Sequence, residues 1–358
     1  AMGGVQQETA AAGRAAMERG SAWLAAQQQP EGYWSIPDTP ALTGLSMWAL
    51  QQTDPVAYSD SINRALVFLL TSVQEDGSIW RTPAVQRKGG GLANYNTAVC
   101  MAALHSLGRR ELIPVIQNAR TYLSKMQYLG DEVYHGGMGY DADENRAYAD
   151  LSNSYMAYEA MRLTQDVEDL RQAGDPRADL DWEAAREFLD QIQNLPGVNT
   201  NAWVSDNEDD RGGFAYSPGA GASRTNEEGR VTLRSYGSMT YAGLLSLIYA
   251  EVDSRDVRVQ SAKDWAARHW SLEENPGMGQ EGLYYFFNVL AKSLDVMGDD
   301  ILTRPDGTQV SWREEVIQRL IDLQQPDGSW VNENNRWWEA DPNLVTAYTL
   351  LTLAAALE

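Results

Sequence analysis

Gln324-Gln325-Pro326-Asp327-Gly328-Ser329-Trp330 decides how this chain is read, because the same phrase is written twice more. Gln28-Gln29-Pro30-Glu31-Gly32-Tyr33-Trp34 repeats the spacing Gln-x-x-x-Gly-x-Trp, and Gln74-Glu75-Asp76-Gly77-Ser78-Ile79-Trp80 is a close variant. Each copy follows apolar residues at helical spacing (Trp23, Leu24; Phe68, Leu69; Leu320, Leu323), so it reads as a helix end and a turn. Glycine takes backbone angles there that other residues avoid, aspartate bonds its own backbone, and the tryptophan can lie back over the helix end. Repeats with a period of tens of residues imply stacked units, none able to bury its apolar face alone.

Working outward, residues 8–28 form an amphipathic segment and 41–52 one that is apolar nearly all round, which belongs inside. The same two-step recurs at 57–74 and 94–107, 110–127 and 150–164, 181–194 and 234–251, 255–270 and 280–297, 311–325 and 343–357. No strand pattern of useful length competes. Connections 128–149 and 195–233 are long enough to be functional or disordered. Each carries a glycine-aromatic or glycine-methionine run, Gly136-Gly137-Met138-Gly139-Tyr140 and Gly213-Phe214-Ala215-Tyr216, read as degenerate copies of the turn.

Arg19-Gly20-x-x-Trp23-Leu24-x-x-x-Gln28-x-x-x-Gly32-x-Trp34 resembles the QW motif of squalene and terpene cyclases, whose fold protein prenyltransferases share. GGFAYSPG, LRSYGSMTYAGLLSLIYA, ENPGMGQEGLYYFF and RWWEADPNLVTAYTLLTL look like the bacterial single-domain squalene-cyclase-like proteins, the prenyltransferase/squalene-cyclase repeat family. That resemblance implies an all-α fold: one α/α toroid over residues 1–358, a six-hairpin barrel with inner and outer rings of six helices each.

With 358 residues, 43% of them hydrophobic, the chain can bury a large core, and no apolar run approaches the length of a membrane span. A net charge of −22 and a pI near 4.5 argue against nucleic acid and anionic membranes and favour a neutral, apolar or cationic partner. One cysteine, Cys100, excludes an internal disulfide framework. The opening Ala1-Met2-Gly3-Gly4 reads as a scar before a polar lead, so a trimmed signal peptide implies a secreted or periplasmic protein and its absence a cytoplasmic one.

Class II cyclases, which this chain resembles, begin cyclisation with Asp-x-Asp-Asp followed by Thr-Ala, and that carboxylic acid must stay protonated. The matching frame here is Ala93-Asn94-Tyr95-Asn96-Thr97-Ala98: Thr-Ala remains and the aspartates are absent. Asp150-Leu151-Ser152-Asn153 keeps one carboxylate, read either as a helix N-cap or as the catalytic group. Asp141-Ala142-Asp143-Glu144 reads as a solvated acidic loop. Zinc, which prenyltransferases hold through Asp, Cys and His, is not expected: Cys100 lies in an apolar helix, and His105, His135 and His269 have no ligand spacing with it. In Pro276-Gly277-Met278-Gly279-Gln280-Glu281, similar to the thioester loop of complement-type domains, methionine replaces the required cysteine.

The starts and rims of the inner helices supply Asn94, Tyr95, Asn96, Asp150, Asn153, Arg234, Tyr236, Gln280, Tyr284, Trp338, Asp341 and Asn343. The expectation is a cavity for an isoprenoid-like or other apolar ligand, with no cofactor, chemistry resting on Asp150, and Arg234 as its candidate ion partner. Two other readings stand beside it: a helical scaffold for a protein partner, and a glycan-active α/α barrel using Asp141, Asp150, Glu339 and Asp341.

Overall fold

The computed structural model describes residues 4–86, 90–141 and 147–358, so Asp143 and Glu144 of the acidic loop lie outside the described residues. Twelve α-helices occur among these: α1 Gln7–Ala26, α2 Pro40–Thr53, α3 Ser59–Leu70, α4 Ala93–Ser106, α5 Ile113–Met126, α6 Leu151–Leu163, α7 Trp182–Asp190, α8 Gly237–Tyr249, α9 Val257–Arg268, α10 Leu283–Met297, α11 Trp312–Leu323 and α12 Pro342–Ala356. Every helix-forming segment read from the sequence is helical, although helices α8 and α10 begin three residues later than expected.

The chain divides into two compact units, residues 28–191 and residues 1–27 with 192–358. In the first, α4 packs between α2 and α6, with α3 against α2 and α5 against α4. In the second, α10 packs between α8 and α12, with α9 on α8 and α1 and α11 on α12. The middle helices are buried nearly all round, because alanine, threonine, leucine and aromatic residues occupy every face; α3 and α5 bury one stripe.

Five connections share one construction. Gly32, Gly77, Gly136, Gly212 and Gly328 have φ between 88° and 102°, and two residues later a backbone N–H donates to a hydroxyl of the following apolar helix. The pairs are Trp34 to Thr43, Ile79 to Thr97, Met138 to Ser154, Phe214 to Thr240 and Trp330 to Thr346, at 2.8–3.1 Å. A Cβ on any of these glycines would meet a backbone carbonyl of another helix: Arg64 in α3, Asn118 in α5, Ala184 in α7, Ser261 in α9 or Arg19 in α1. Gln28, Gln127, Gln193 and Gln324 complete four of the joints. Each Nε2 donates to the glycine carbonyl at 2.9 Å and to a second carbonyl, of Ser61, Asp181, Arg258 or Ala16. Each turn therefore clamps the amphipathic helix of the next hairpin.

The connections 164–178 and 195–233 are fixed by buried charged groups. Arg120, 1% exposed on α5, donates to Glu168, the Met161 and Ala178 carbonyls and Thr164, drawing 164–178 onto its unit. In 195–233, buried Asp210 accepts from Ser205, Arg224 and the Ser235 amide. In keeping with the absence of a strand pattern of useful length, the strands among the described residues form two short antiparallel hairpins, β1 (Ser223–Thr225) with β2 (Val231–Leu233), and β3 (Ile301–Thr303) with β4 (Gln309–Ser311). Strands of three residues are too short to show an alternating pattern.

Candidate functional site

Within residues 28–191, the starts of α2, α4 and α6 are stitched into one row. Asn96 accepts from the Ala41 amide at 2.8 Å and donates to the Gly91 and Leu92 carbonyls. Asn94 donates to the Gly139 and Asp141 carbonyls and accepts from the Tyr122 hydroxyl, while the Tyr95 amide points at the Tyr140 carbonyl. Asp150, fully buried, caps α6: its Oδ1 accepts from the Asn153 amide at 2.7 Å and its Oδ2 from the Asn153 side chain at 2.9 Å. Asn153 Oδ1 is buried without a partner among the described residues. The sequence-chosen residues of this unit thus lie together, two of the asparagines spending their amides on backbone.

The second unit has a matching row at α8, α10 and α12. Tyr236 is the N-cap residue of α8; Asn275 accepts from the Ser238 amide and donates to Ser238 Oγ and the Glu281 carbonyl, tying that start to α10. Arg234 stands half-buried just ahead, its amide on the Ala222 carbonyl. Gln280 is exposed in the loop before α10, and its carbonyl accepts from Asn332 at 2.7 Å. Asp341 caps α12 through the Asn343 amide at 2.9 Å, and its own amide reaches the Trp338 carbonyl. Asp150 and Arg234, weighed together as an ion pair from sequence, belong to different units.

At the centre of the second row sits Glu339, fully buried and with no ion-pair partner among the described residues. Its Oε1 accepts from the Tyr284 amide at 3.0 Å and from Asn332, and its Oε2 from the Tyr285 amide at 2.9 Å, so a side chain 54 residues distant caps α10. Burial raises its carboxyl above the ordinary glutamate range, against the lowering effect of those donors. Burial, followed by the nearby Glu339 charge, pushes the Tyr284 hydroxyl up to about 12. Beside Glu339, Trp337 and Trp338 both hold left-handed backbone, φ 56° and 66°, with 42% of each exposed. From sequence Glu339 was one of several mouth carboxylates; its capping role depends on a contact between distant segments that no local spacing encodes.

Cys100 is core, and burial pushes its thiol up. Among the described residues, no group of three or more His, Cys, Asp or Glu side chains is placed to hold a metal ion, and no helix is long and apolar enough to cross a membrane.

No family model and no curated protein matches the chain. Solved structures do. The type II terpene cyclase MstE from Scytonema is 13% identical, covers 97% of this chain and 98% of its own, and superposes with a TM-score of 0.59. An alpha-1,6-mannanase of Salegentibacter is 10% identical over 97% of this chain and 100% of its own, TM-score 0.58. A D-mannose isomerase is 11% identical over 96% and 97%, TM-score 0.58. The chain thus has a terpene-cyclase-like helical fold, shared with proteins of unrelated chemistry, so function must be argued from the site.

Proposed function

We propose that the whole chain is one α/α toroid of six hairpins, and that it binds an isoprenoid-like or other apolar small molecule where its nearly apolar helices begin. The observation that carries this reading is the second row: Tyr236, Tyr284, Tyr285 and Trp338 stand at or just ahead of the starts of the alternate helices α8, α10 and α12, among Arg234, Gln280, Asp341 and Asn343. Aromatic walls with a few fixed polar groups are the usual form of a small-molecule site. Asn94, Tyr95, Asn96, Asp150 and Asn153 offer the same mixture in the other unit. The fold likeness lends support, since one MstE structure holds geranylgeranyl dihydroxybenzoate.

Chemistry, in this reading, rests on Asp150, and acid-initiated cyclisation is not expected, because Asn94-Tyr95-Asn96 occupies the frame where cyclases carry aspartates. Glycoside hydrolysis needs two working carboxylates facing a groove. Of the four mouth candidates, Asp150, Glu339 and Asp341 are engaged as helix caps, which weighs against it. Native mass spectrometry of the purified chain after incubation with geranylgeraniol and with a total lipid extract tests the proposal. A one-to-one apolar adduct, lost in Tyr236→Ala and Tyr284→Ala variants that still fold, is expected. No adduct from either source on folded protein leaves the scaffold reading standing instead.

A further inference from the structure

Arg234 is an unused cation in a chain short of them. The sequence holds 28 lysine and arginine residues against 50 aspartate and glutamate, so acidic partners abound, yet the half-buried Arg234 guanidinium makes no ion pair or hydrogen bond among the described residues. The two other arginines of the same hairpin are fasteners: Arg224 binds buried Asp210 at 3.2 Å, and Arg230 binds Asp206 at 3.4 Å and the Ala202 and Val204 carbonyls. The Arg234 side chain fastens nothing, although the backbone on both sides of it is fixed. Asn194 donates to the Leu233 carbonyl and to Ser235 Oγ, the Leu233 amide to the Trp203 carbonyl, the Arg234 amide to the Ala222 carbonyl, and the Ser235 amide to Asp210. Leu233, Ser235 and Tyr236 are buried, so of residues 233–236 this clamp leaves Arg234 alone partly open to solvent.

The adjoining helix end has the same sign. α8 begins at Gly237, and its first amides donate to the Pro276 carbonyl and the Asn275 side chain, both neutral, with no acidic residue in the first turn. The other two apolar helices of this unit, α10 and α12, have carboxylates there, Glu339 and Asp341. The positive end of α8 therefore has no capping carboxylate to offset it, and Arg234 adds a full charge three residues ahead. A net charge of −22 repels anions at long range, but that field is screened within about 8 Å at physiological salt. On contact, a guanidinium gives a carboxylate or phosphate two parallel charge-assisted hydrogen bonds.

We infer that Arg234 anchors an anionic head group, a carboxylate or a phosphate, on the isoprenoid-like ligand proposed above; this rests on the apolar site and names the head of its occupant. Titrations of the full chain followed by native mass spectrometry compare geranylgeranoic acid, geranylgeranyl monophosphate, geranylgeraniol and the methyl ester of the acid. At least one of the two anions is expected to bind tenfold or more tightly than both neutral ligands, and the tighter of the two separates a carboxylate head from a phosphate. In Arg234→Gln the affinities for anion and alcohol are expected to come within twofold of each other. Arg234→Lys, which keeps the charge but not the paired donors, should recover part of the preference. The inference fails, with the apolar site intact, if alcohol and ester bind as tightly as the anions or if Arg234→Gln keeps the preference. If none of the four binds to folded protein, the apolar site fails with it. Should Arg234→Gln not fold, the acid against its methyl ester on the wild-type chain decides alone, because the ester keeps the shape of the head and removes its charge.

Discussion

Glu168 and Glu339 are the same side chain, both almost wholly buried, and they titrate in opposite directions. Burial alone would raise both. At Glu168, hydrogen bonds from Arg171, the Ala178 amide and Arg120, with the Arg120 charge, overcome it and hold the carboxyl at about 2. At Glu339 the donors are two backbone amides and an asparagine, burial prevails, and the carboxyl is raised. A buried carboxylate with two arginines around it is a lock. One held only by neutral donors is protonated more easily, and here it directly follows the two tryptophans with left-handed backbone.

The largest effect is expected from Arg120→Met, which leaves Glu168 with one arginine and the Met161 and Ala178 carbonyls without a donor. Breaking a buried pair in this way should cost about 3–5 kcal/mol in urea unfolding; a loss below 1 kcal/mol would show the lock to be dispensable. Next comes Glu339→Gln, whose amide can accept from only one of the Tyr284 and Tyr285 N–H groups, at a cost of about 1–3 kcal/mol.

The comparison sharpens when these stabilities are followed against pH. The lowered Glu168 stabilises the fold above the ordinary glutamate range and loses that contribution as pH falls toward about 2. The raised Glu339 contributes most below that range and less as pH rises through its folded-state value. Melting temperatures between pH 3 and 8 should therefore show the wild type's advantage over Glu168→Gln shrinking toward acid, and its advantage over Glu339→Gln shrinking toward neutrality. Parallel profiles would erase the distinction. The smallest effect belongs to the local cap: Asp150→Ala should cost about 1 kcal/mol, while Asp150→Asn keeps the cap and so isolates any chemical role, which would then vanish without a change in stability.

How legible these features were follows from how local they are. The helices and the Gly-x-Trp turns were plain because each is written in adjacent residues. Gln127 and Gln193 make the same clamp as Gln28 and Gln324 but were invisible as copies, since an insertion moves their glycines to positions 136 and 212. The sequence also placed polar and aromatic residues at helix starts, and the structure joins them into a row in each unit. Arg120 read as one more charge on an amphipathic helix; its partner lies 48 residues on, in a segment with no periodicity to mark it. Glu339 was read as one of four mouth carboxylates, but its capping of α10 was hidden for the same reason.

The joint made by Gly328 differs from the other four in one respect. It closes on α1 from far along the chain: Thr9 meets Glu314 across 305 residues, and α1 packs on α11 and α12. Closing so long a loop is the entropically most demanding of the five joints, so formation of the α1–α11–α12 cluster should be a late step in refolding. A circular permutant that places residues 1–27 after α12 would turn this distant closure into a neighbouring one and should refold faster.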